Sequence, residues 1–168
     1  TSLGDVVAAE TSWLWQDGKF SAVDGASGFQ ESPHQVHVSP AVKRCLMDLK
    51  RDDSVWNAFG AASRQVGVVT PKLVSGPVAT GAAVLADAKV RDSIAQTQHR
   101  AVVGLDMETY SVYVAAESCY SVKHFVSLKS VCDGGDKDKA DEFQSYAAAV
   151  SAEAALAFIS KFFGGSTM

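Results

Sequence analysis

The stretch GLDMETYSVYVAAESC, residues 104–119, places two carboxylates where an apolar run changes its character. The residues from Ala101 to Met107 predict a buried strand, and those that follow predict a buried helix. In an extended segment, Asp106 and Glu108 point to one side and Met107 to the other. Two interpretations stay open. The acids cap the helix, which is favourable by about 0.3–1 kcal/mol near a helix N-terminus, or they face a ligand at the carboxyl end of a strand.

A second acid follows another apolar run. SVCDGGD, residues 130–136, places Asp133 after HFVSLKSVC, which predicts a buried strand, and Gly134 and Gly135 let the backbone turn beside the acid. An ordinary turn explains this motif alone, and its acids lack the alternating positions of an EF-hand. Two acids at the ends of two neighbouring strands, each followed by a helix, form a more specific pattern. They predict a shared ligand cleft.

The N-terminal half begins with strand signals. GDVVAAETSWLW, residues 4–15, and KFSAV, residues 19–23, predict strands. Residues 24–39 are rich in Gly, Ser, Pro and His and predict a long surface loop. Ser39-Pro40 predicts a helix start, with Ser39 as N-cap. The apolar residues that follow at helical spacing are Val42, Cys45, Leu46 and Leu49.

The rest of the chain alternates helix and strand. A helix is predicted over 53–65, then strands broken by a Gly-containing loop over 79–83, and a helix capped by Asp87. A long helix over 141–163 carries a periodic apolar face. This alternation predicts an α/β layered fold. We expect one domain over 1–163 and a frayed tail over 164–168.

Composition excludes several classes. The chain has 168 residues, 47% apolar and 20% charged, which indicates a globular domain rather than a disordered segment. The net charge of −4, without Lys or Arg clusters, argues against a nucleic-acid partner, and no uninterrupted apolar run predicts a membrane span. The three cysteines lack C-x-x-C spacing, which favours a reducing, cytoplasmic setting. The histidines form no metal-ligand pattern, so no metal site is expected.

Four motifs together resemble the nucleoside phosphorylase and nucleosidase superfamily, in particular its methylthioadenosine/S-adenosylhomocysteine nucleosidase branch. GDVVAAE is similar to a strand of the family, and SGPVATGAAVLAD, residues 75–87, to the segment that borders the purine. GLDMETYSV resembles the family's acid–methionine–Glu signature. SVCDGGD with the helix that follows resembles its catalytic aspartate loop. The resemblance implies a three-layer phosphorylase-like fold with a central mixed sheet flanked by helices.

The resemblance also implies roles for residues. Asp133 matches the acid that protonates or hydrogen-bonds the purine N7, and Glu108 the carboxylate that holds the ribose hydroxyls. Met107 matches a methionine packed under the sugar. Further substrate-binding positions are Asp106 at the strand end, Val84 and Leu85 against the base, and Phe143 beside the 5′ substituent. Departures are Thr80-Gly81-Ala82, where the family often carries Ser-Gly-Asp, and Cys132, where serine is frequent.

Complete members of the family begin with an N-terminal portion that this sequence lacks, including a strand, a Gly-rich turn and the groups that bind phosphate or activate water. The resemblance therefore leaves hydrolysis and phosphorolysis open. It implies no cofactor, with phosphate as co-substrate only in phosphorolysis. The expected activity is cleavage of the N-ribosidic bond of purine nucleosides. The alternative is an inactive nucleoside-binding or regulatory module of the same fold.

Self-association is a further expectation. The resemblance implies that the segment near residues 13–35 completes the pocket of a neighbouring subunit, in a homodimer or larger oligomer. Trp13 and Trp15 have the same orientation on the first strand, and tryptophan is enriched at interfaces. Packing of both indoles in the core of the chain is the open alternative.

Overall fold

The first strand is the centre around which the other elements are arranged. A computed structural model describes residues 1–23, 26–65, 70–83, 87–134 and 142–164. Within these ranges the elements are, in chain order, β1 Val6–Leu14, β2 Gly18–Val23, β3 Ala26–Glu31, β4 Gln35–His37, α1 Pro40–Lys50, α2 Asp53–Gln65, β5 Leu73–Thr80, α3 Ala88–Thr97, β6 Gly104–Asp106, α4 Thr109–Ser118, β7 Leu128–Ser130 and α5 Glu142–Gly164.

The main sheet is mixed. Strands β4, β1, β5 and β6 pair in that order, and β1, β5 and β6 run parallel. Strands β7 and β4 both pair antiparallel with β1, β7 along Val6–Ala8 and β4 along Thr11–Trp13. Because β1 is hydrogen-bonded on both edges and rich in β-branched residues, most of its side chains are buried. The predicted mixed sheet flanked by helices is confirmed.

The pairing of β1 in the main sheet is irregular at one point. The pairing of β1 with β5 shifts by one residue between Ala9 and Thr11, as in a β-bulge, and bulges bend a strand and increase its twist. Gly104 of β6 lies close to Val7 of β1, although β5 separates the two strands. A Cβ placed on Gly104 would be 3.3 Å from Val7 Cγ1. The start of β6 therefore lies beside the first half of β1.

The predicted surface loop over 24–39 is wrong for most of its length. Strands β3 and β4 occupy it, β3 as a hairpin partner of β2 and β4 on the edge of β1. The pairing of Val36 with Ser12 connects residues distant in sequence, so local composition does not report it. Residues 24 and 25, which also belong to this prediction, lie outside the described residues.

The helix starts follow the sequence signals. Ser39 Oγ accepts the Val42 N–H at 3.4 Å at the start of α1, and Asp87 Oδ1 accepts the Lys89 N–H at 2.9 Å at the start of α3. The predicted apolar residues of α1 are all buried. Helix α5 packs against α1 and β7 and buries Ala147, Val150, Ala154 and Phe158.

Two further expectations need correction. Helix α4 buries only Thr109 and Tyr113 among its residues, and Val112 is 58% exposed, because no described element covers its outer side. Strands β6 and β7 are three residues long and mostly half-buried rather than buried. The apolar character of these segments therefore overstated how much of each is covered.

Helix α5 is long and apolar enough between Phe143 and Gly164 to cross a membrane by length and composition alone, with a mean hydropathy of 1.3. The core helix of a soluble protein has the same two properties. The tail over 165–168 lies outside the described residues.

Candidate functional site

Asp106 is the best-connected carboxylate of the site. It ends β6 opposite Thr80, the last residue of β5, and Thr80 Oγ1 donates to Asp106 Oδ1 at 2.7 Å. Lys129 Nζ lies 2.7 Å from Oδ2, and the backbone N–H and hydroxyl of Thr109 also donate to this carboxylate. The side chain of Asp106 is only 11% exposed. Donors therefore occupy both oxygens of Asp106.

Asp106, Glu108 and Lys129 form a charge cluster, in which Asp106 and Lys129 stabilise each other's charged form. Burial raises the pKa of Asp106, but the hydrogen bonds from Lys129, Thr109 and Thr80 outweigh it and hold that pKa below its usual value. Burial lowers the pKa of Lys129, and the hydrogen bonds to Asp106 and Glu108 outweigh that effect and raise it. Asp106 is therefore a carboxylate and Lys129 an ammonium group at neutral pH.

Glu108 differs from Asp106 in exposure and in its partners. Its Oε2 lies 2.5 Å from Lys129 Nζ, and its side chain is 65% exposed. Glu108 is the N-cap residue of α4, yet its side chain makes no capping hydrogen bond. Asp106 instead accepts the Thr109 N–H. The capping interpretation thus applies to Asp106, whereas Glu108 keeps a carboxylate available to a ligand.

Asp133 reaches the same cleft from β7. It lies in the loop after that strand, half-buried, with its Oδ2 3.8 Å from Cys132 Sγ. The adjacent Gly134 carbonyl accepts a hydrogen bond from Arg91 Nη1 of α3 at 2.9 Å. This bond connects the aspartate loop to the helix on the other side of the cleft.

A cavity of about 700 Å³ joins these groups. Asp106, Met107, Glu108, Lys129 and Asp133 all line it. Ligand pockets commonly measure roughly 300–1,000 Å³, so the cavity has the size for a small molecule such as a nucleoside. The side chains at 108 and 133, predicted from separate motifs, therefore border one space.

The geometry that brings the two acids together differs from the predicted one. Strands β6 and β7 are not neighbours, since β5 and β1 lie between them, and they run in opposite directions. Their carboxyl ends therefore do not share one edge of a flat sheet. Asp106 and Asp133 nevertheless line the same cavity, and Lys129 of β7 reaches across to Asp106 Oδ2 at 2.7 Å.

Of the other residues predicted to bind substrate, one lines the cavity, one is not part of its described lining, and two lie outside the described residues. Met107 is 43% exposed and lines the cavity. Phe143, in the first turn of α5, is half-buried and is not part of the described lining. Val84 and Leu85 lie outside the described residues.

Lys129 is the residue of the candidate site that the sequence did not reveal. It contacts both acids of the strand-end motif, yet it lies 23 residues after Asp106 in the chain. The available signal was a lone cation inside the apolar run HFVSLKSVC, because a charged residue in a buried strand needs a partner. Within the described ranges, no group of three or more His, Cys, Asp or Glu side chains is arranged to hold a metal ion.

Comparison with known sequences gives two findings. A sequence model described as the phosphorylase superfamily matches residues 1–163. An uncharacterized protein of Sinorhizobium fredii (strain NBRC 101917 / NGR234), y4jS, is 30% identical over 158 residues, which make up 92% of this chain and 38% of that protein.

Solved structures share the fold at low sequence identity. A 5′-methylthioadenosine/S-adenosylhomocysteine nucleosidase of Neisseria meningitidis, in complex with methylthio-immucillin-A, has a TM-score of 0.65 and 17% identity, over 94% of this chain and 62% of its own. The corresponding Helicobacter pylori nucleosidase has a TM-score of 0.67 and 18% identity, over 95% and 62%. Futalosine hydrolase of Helicobacter pylori has a TM-score of 0.63 and 16% identity, over 98% and 61%. The chain thus spans less than two thirds of the length of each of these relatives.

Proposed function

The chain belongs to the phosphorylase superfamily, and on that premise we propose that it cleaves the N-ribosidic bond of purine nucleosides. The similar solved structures are those of nucleosidases and a futalosine hydrolase. They support the general kind of enzyme. The purine substrate and the residue roles below are the proposal.

The observation that carries the proposal is the shared cavity. Glu108 and Asp133 both line it, and Lys129 lies beside Glu108 with its charged group 2.5 Å away. Cleavage of the C1′–N9 bond leaves positive charge on the sugar and negative charge on the base. A site with one carboxyl group for the base and one carboxylate for the ribose meets both requirements.

Asp133 is proposed as the acid on the base. It donates a proton to N7 as the bond breaks, so that the purine leaves as a neutral base, or a hydrogen bond that stabilises the negative charge of the leaving purine. General acid catalysis of this type contributes typically about 10²–10⁴-fold. The electron pair of the broken bond stays on the base, and phosphate or water adds to C1′ of the sugar. Water releases a proton as it adds, and this proton replaces the one that Asp133 gave to N7.

Glu108 is proposed to hold the ribose hydroxyls. Its exposed carboxylate can accept two hydroxyl hydrogen bonds, and its negative charge stabilises a cation-like sugar electrostatically. Lys129 is the positioning residue, because it contacts Glu108 Oε2 while it is fixed to Asp106. Asp106 contributes through Lys129 and Thr109 rather than through a free oxygen.

The test measures release of free base from methylthioadenosine, adenosine and inosine, with and without phosphate. The variant is Asp133→Asn, and the matched control is Asp48→Asn, since Asp48 is an exposed aspartate on α1 away from the cavity. We expect base release to fall by about 10²-fold or more in Asp133→Asn and to be unchanged in Asp48→Asn. Equal rates in the two variants would remove Asp133 from the mechanism.

The second candidate is a nucleoside-binding module without turnover. Ala82, in place of the family's frequent acid, favours it because a polar group near the base is absent from the side chain. Its signature is a nucleoside-dependent rise in melting temperature without any release of base. Absence of both effects would end the nucleoside proposal altogether.

The setting of the protein is also part of the proposal. Cys45, Cys119 and Cys132 are free thiols, which supports a reducing compartment such as the cytoplasm. We propose no cofactor, with phosphate as a co-substrate only if the reaction is phosphorolysis, and a homodimer or larger oligomer as the assembly. Trp13 does not support the oligomer, because it is fully buried within the chain. Leu156, Ile159 and Phe163 of α5, each more than half exposed, give it better support, and sedimentation analysis would test it.

A further inference from the structure

A second cavity lies beside the first. It has a volume of about 570 Å³ and is formed by α3, the residues that follow β1 and the end of β3. Its lining combines apolar and polar side chains, namely Trp15, Gln16, Glu31, Lys89, Val90, Ser93, Ile94, Thr97 and Gln98. None of these side chains except Trp15 is part of the described lining of the first cavity.

Trp15 separates the two cavities, because it is the one described residue that lines both. We propose that this indole is a specificity-determining residue, which closes the base end of the nucleoside site and excludes purines with a bulky substituent. This inference rests on the proposed nucleoside substrate. It adds a residue and a substrate limit that neither the sequence motifs nor the relatives assign.

The backbone of Trp15 is held on both sides. Its N–H donates to the Thr80 carbonyl at 2.9 Å, and its carbonyl accepts Gln98 Nε2 at 2.8 Å. Gln98 is itself fixed, since its Oε1 accepts the Trp13 Nε1–H at 2.8 Å. Trp15 is thereby connected to the last residue of β5 and to the C-terminal end of α3.

The indole occupies space that a side chain at position 81 would need. A Cβ on Gly81 would lie 2.0 Å from Trp15 Nε1, which is far inside contact distance. The Gly81 N–H donates to the Asp106 carbonyl at 3.0 Å, so the same glycine also borders the acid cluster. The indole of Trp15 therefore packs closely against the backbone at Gly81, so the partition is tightly packed at this point.

The partition lies on the side of the cleft where the base is proposed to bind. Helix α3 contributes to the lining of both cavities, Val90 and Ile94 to the second and Arg91 to the first. Arg91 donates to the carbonyl of Gly134, next to Asp133, the proposed acid on the base. Glu108, the proposed ribose ligand, is held instead by Lys129 of β7. A nucleoside oriented by these two acids directs its base toward α3, the helix whose Gln98 holds the backbone of Trp15.

The test compares the dissociation constants of adenosine and N6-benzyladenosine by calorimetry. Wild type should bind the benzyl compound at least about tenfold more weakly than adenosine. In Trp15→Ala the second cavity becomes continuous with the first, so the ratio of the two constants should fall by about tenfold or more as the benzyl group is buried. Trp15→Phe keeps a partition and should give an intermediate ratio. Ser93→Ala alters only the second cavity and should leave the ratio at its wild-type value.

Each outcome decides between the claims. If Trp15→Ala binds adenosine but its ratio equals that of wild type, the partition is refuted and the proposed function stands. If no variant and no wild-type sample binds either compound, the proposed function fails and the inference fails with it. Should Trp15→Ala not fold, as judged by circular dichroism, Trp15→Leu removes the ring while it keeps apolar volume, and the same ratio then decides.

Discussion

Replacement of Lys129 by methionine gives a sharp test of the charge cluster. The change keeps an unbranched side chain of similar length and removes the ammonium group that contacts both Asp106 and Glu108. Asp106 would keep its hydrogen bonds from Thr80 and Thr109 but lose its only cation among the described residues. The stability of the fold should then decrease.

The expected loss lies between two limits. An exposed salt bridge is worth about 0–1 kcal/mol, and removal of one partner from a fully buried pair costs about 3–5 kcal/mol. Asp106 is 11% exposed, but Lys129 is 45% exposed, so solvent screens the pair substantially. We therefore expect a loss of about 1–2 kcal/mol in the free energy of unfolding at pH 7.

The loss should depend on pH in a defined direction. The pKa of Asp106 is lowered in the folded state, so its stabilising contribution is present above its ordinary value of 3.8 and disappears as the pH falls through the lower folded value. The pKa of Lys129 is raised above 10.5, so its contribution is lost only as the pH rises through that higher value. The difference between wild type and Lys129→Met should therefore be constant from about pH 5 to 9 and shrink below pH 4.

Urea unfolding followed by tryptophan fluorescence measures this difference. The matched control is Lys43→Met. The side chain of Lys43 is 42% exposed, much like that of Lys129, but its Nζ lies 3.9 Å from Glu10 Oε2, which is a longer and weaker ion pair. It should cost less than about 0.5 kcal/mol. Equal losses in the two variants at pH 7, or a loss for Lys129→Met that stays undiminished near pH 3, would refute the reasoning.

Two further substitutions test the packing around the site. Tyr113→Phe leaves the Ala9 carbonyl and the Ser127 N–H without the hydroxyl that bonds them at 2.7 and 2.9 Å, and we expect a loss of about 1–3 kcal/mol in urea unfolding; a loss below 0.5 kcal/mol would mean that water replaces the hydroxyl. Gly81→Ala forces the Trp15 indole to move, and we expect a loss of about 1–3 kcal/mol together with a changed tryptophan emission spectrum. An unchanged emission spectrum together with unchanged stability would contradict the close packing of the Trp15 indole against Gly81.

Local signals predicted the helices better than the sheet. Ser39-Pro40 and the spacing of Val42, Cys45 and Leu46 sufficed for α1, because a cap and a buried face depend on residues a few positions apart. The edge strand β4 depends instead on pairing with β1, and nothing within residues 24–39 reports that partner. The predicted burial of α4 was wrong for a similar reason. Val112 is as apolar as a core residue, but its side chain is exposed because no described element packs against it.

At the candidate site, the sequence predicted the positions of the two acids, but it did not predict that Asp106 and Glu108 have different hydrogen-bond partners. Asp106 and Glu108 were expected to point to one side, and both contact Lys129. Only the register of β6 on β5 sets Asp106 opposite the hydroxyl of Thr80, and only the start of α4 sets the Thr109 N–H beneath its carboxylate. Because these donors occupy its carboxylate oxygens, Asp106 stabilises the fold.

Glu108 is two residues further along the chain, beyond the reach of those donors. Its one recorded side-chain partner among the described residues is Lys129. Of the two interpretations of the opening motif, the helix cap applies to Asp106, whereas the ligand contact stays a prediction for Glu108, which lines the cavity. The cap holds the backbone at the point where β6 gives way to α4, and that fixed backbone presents the second acid to the cavity.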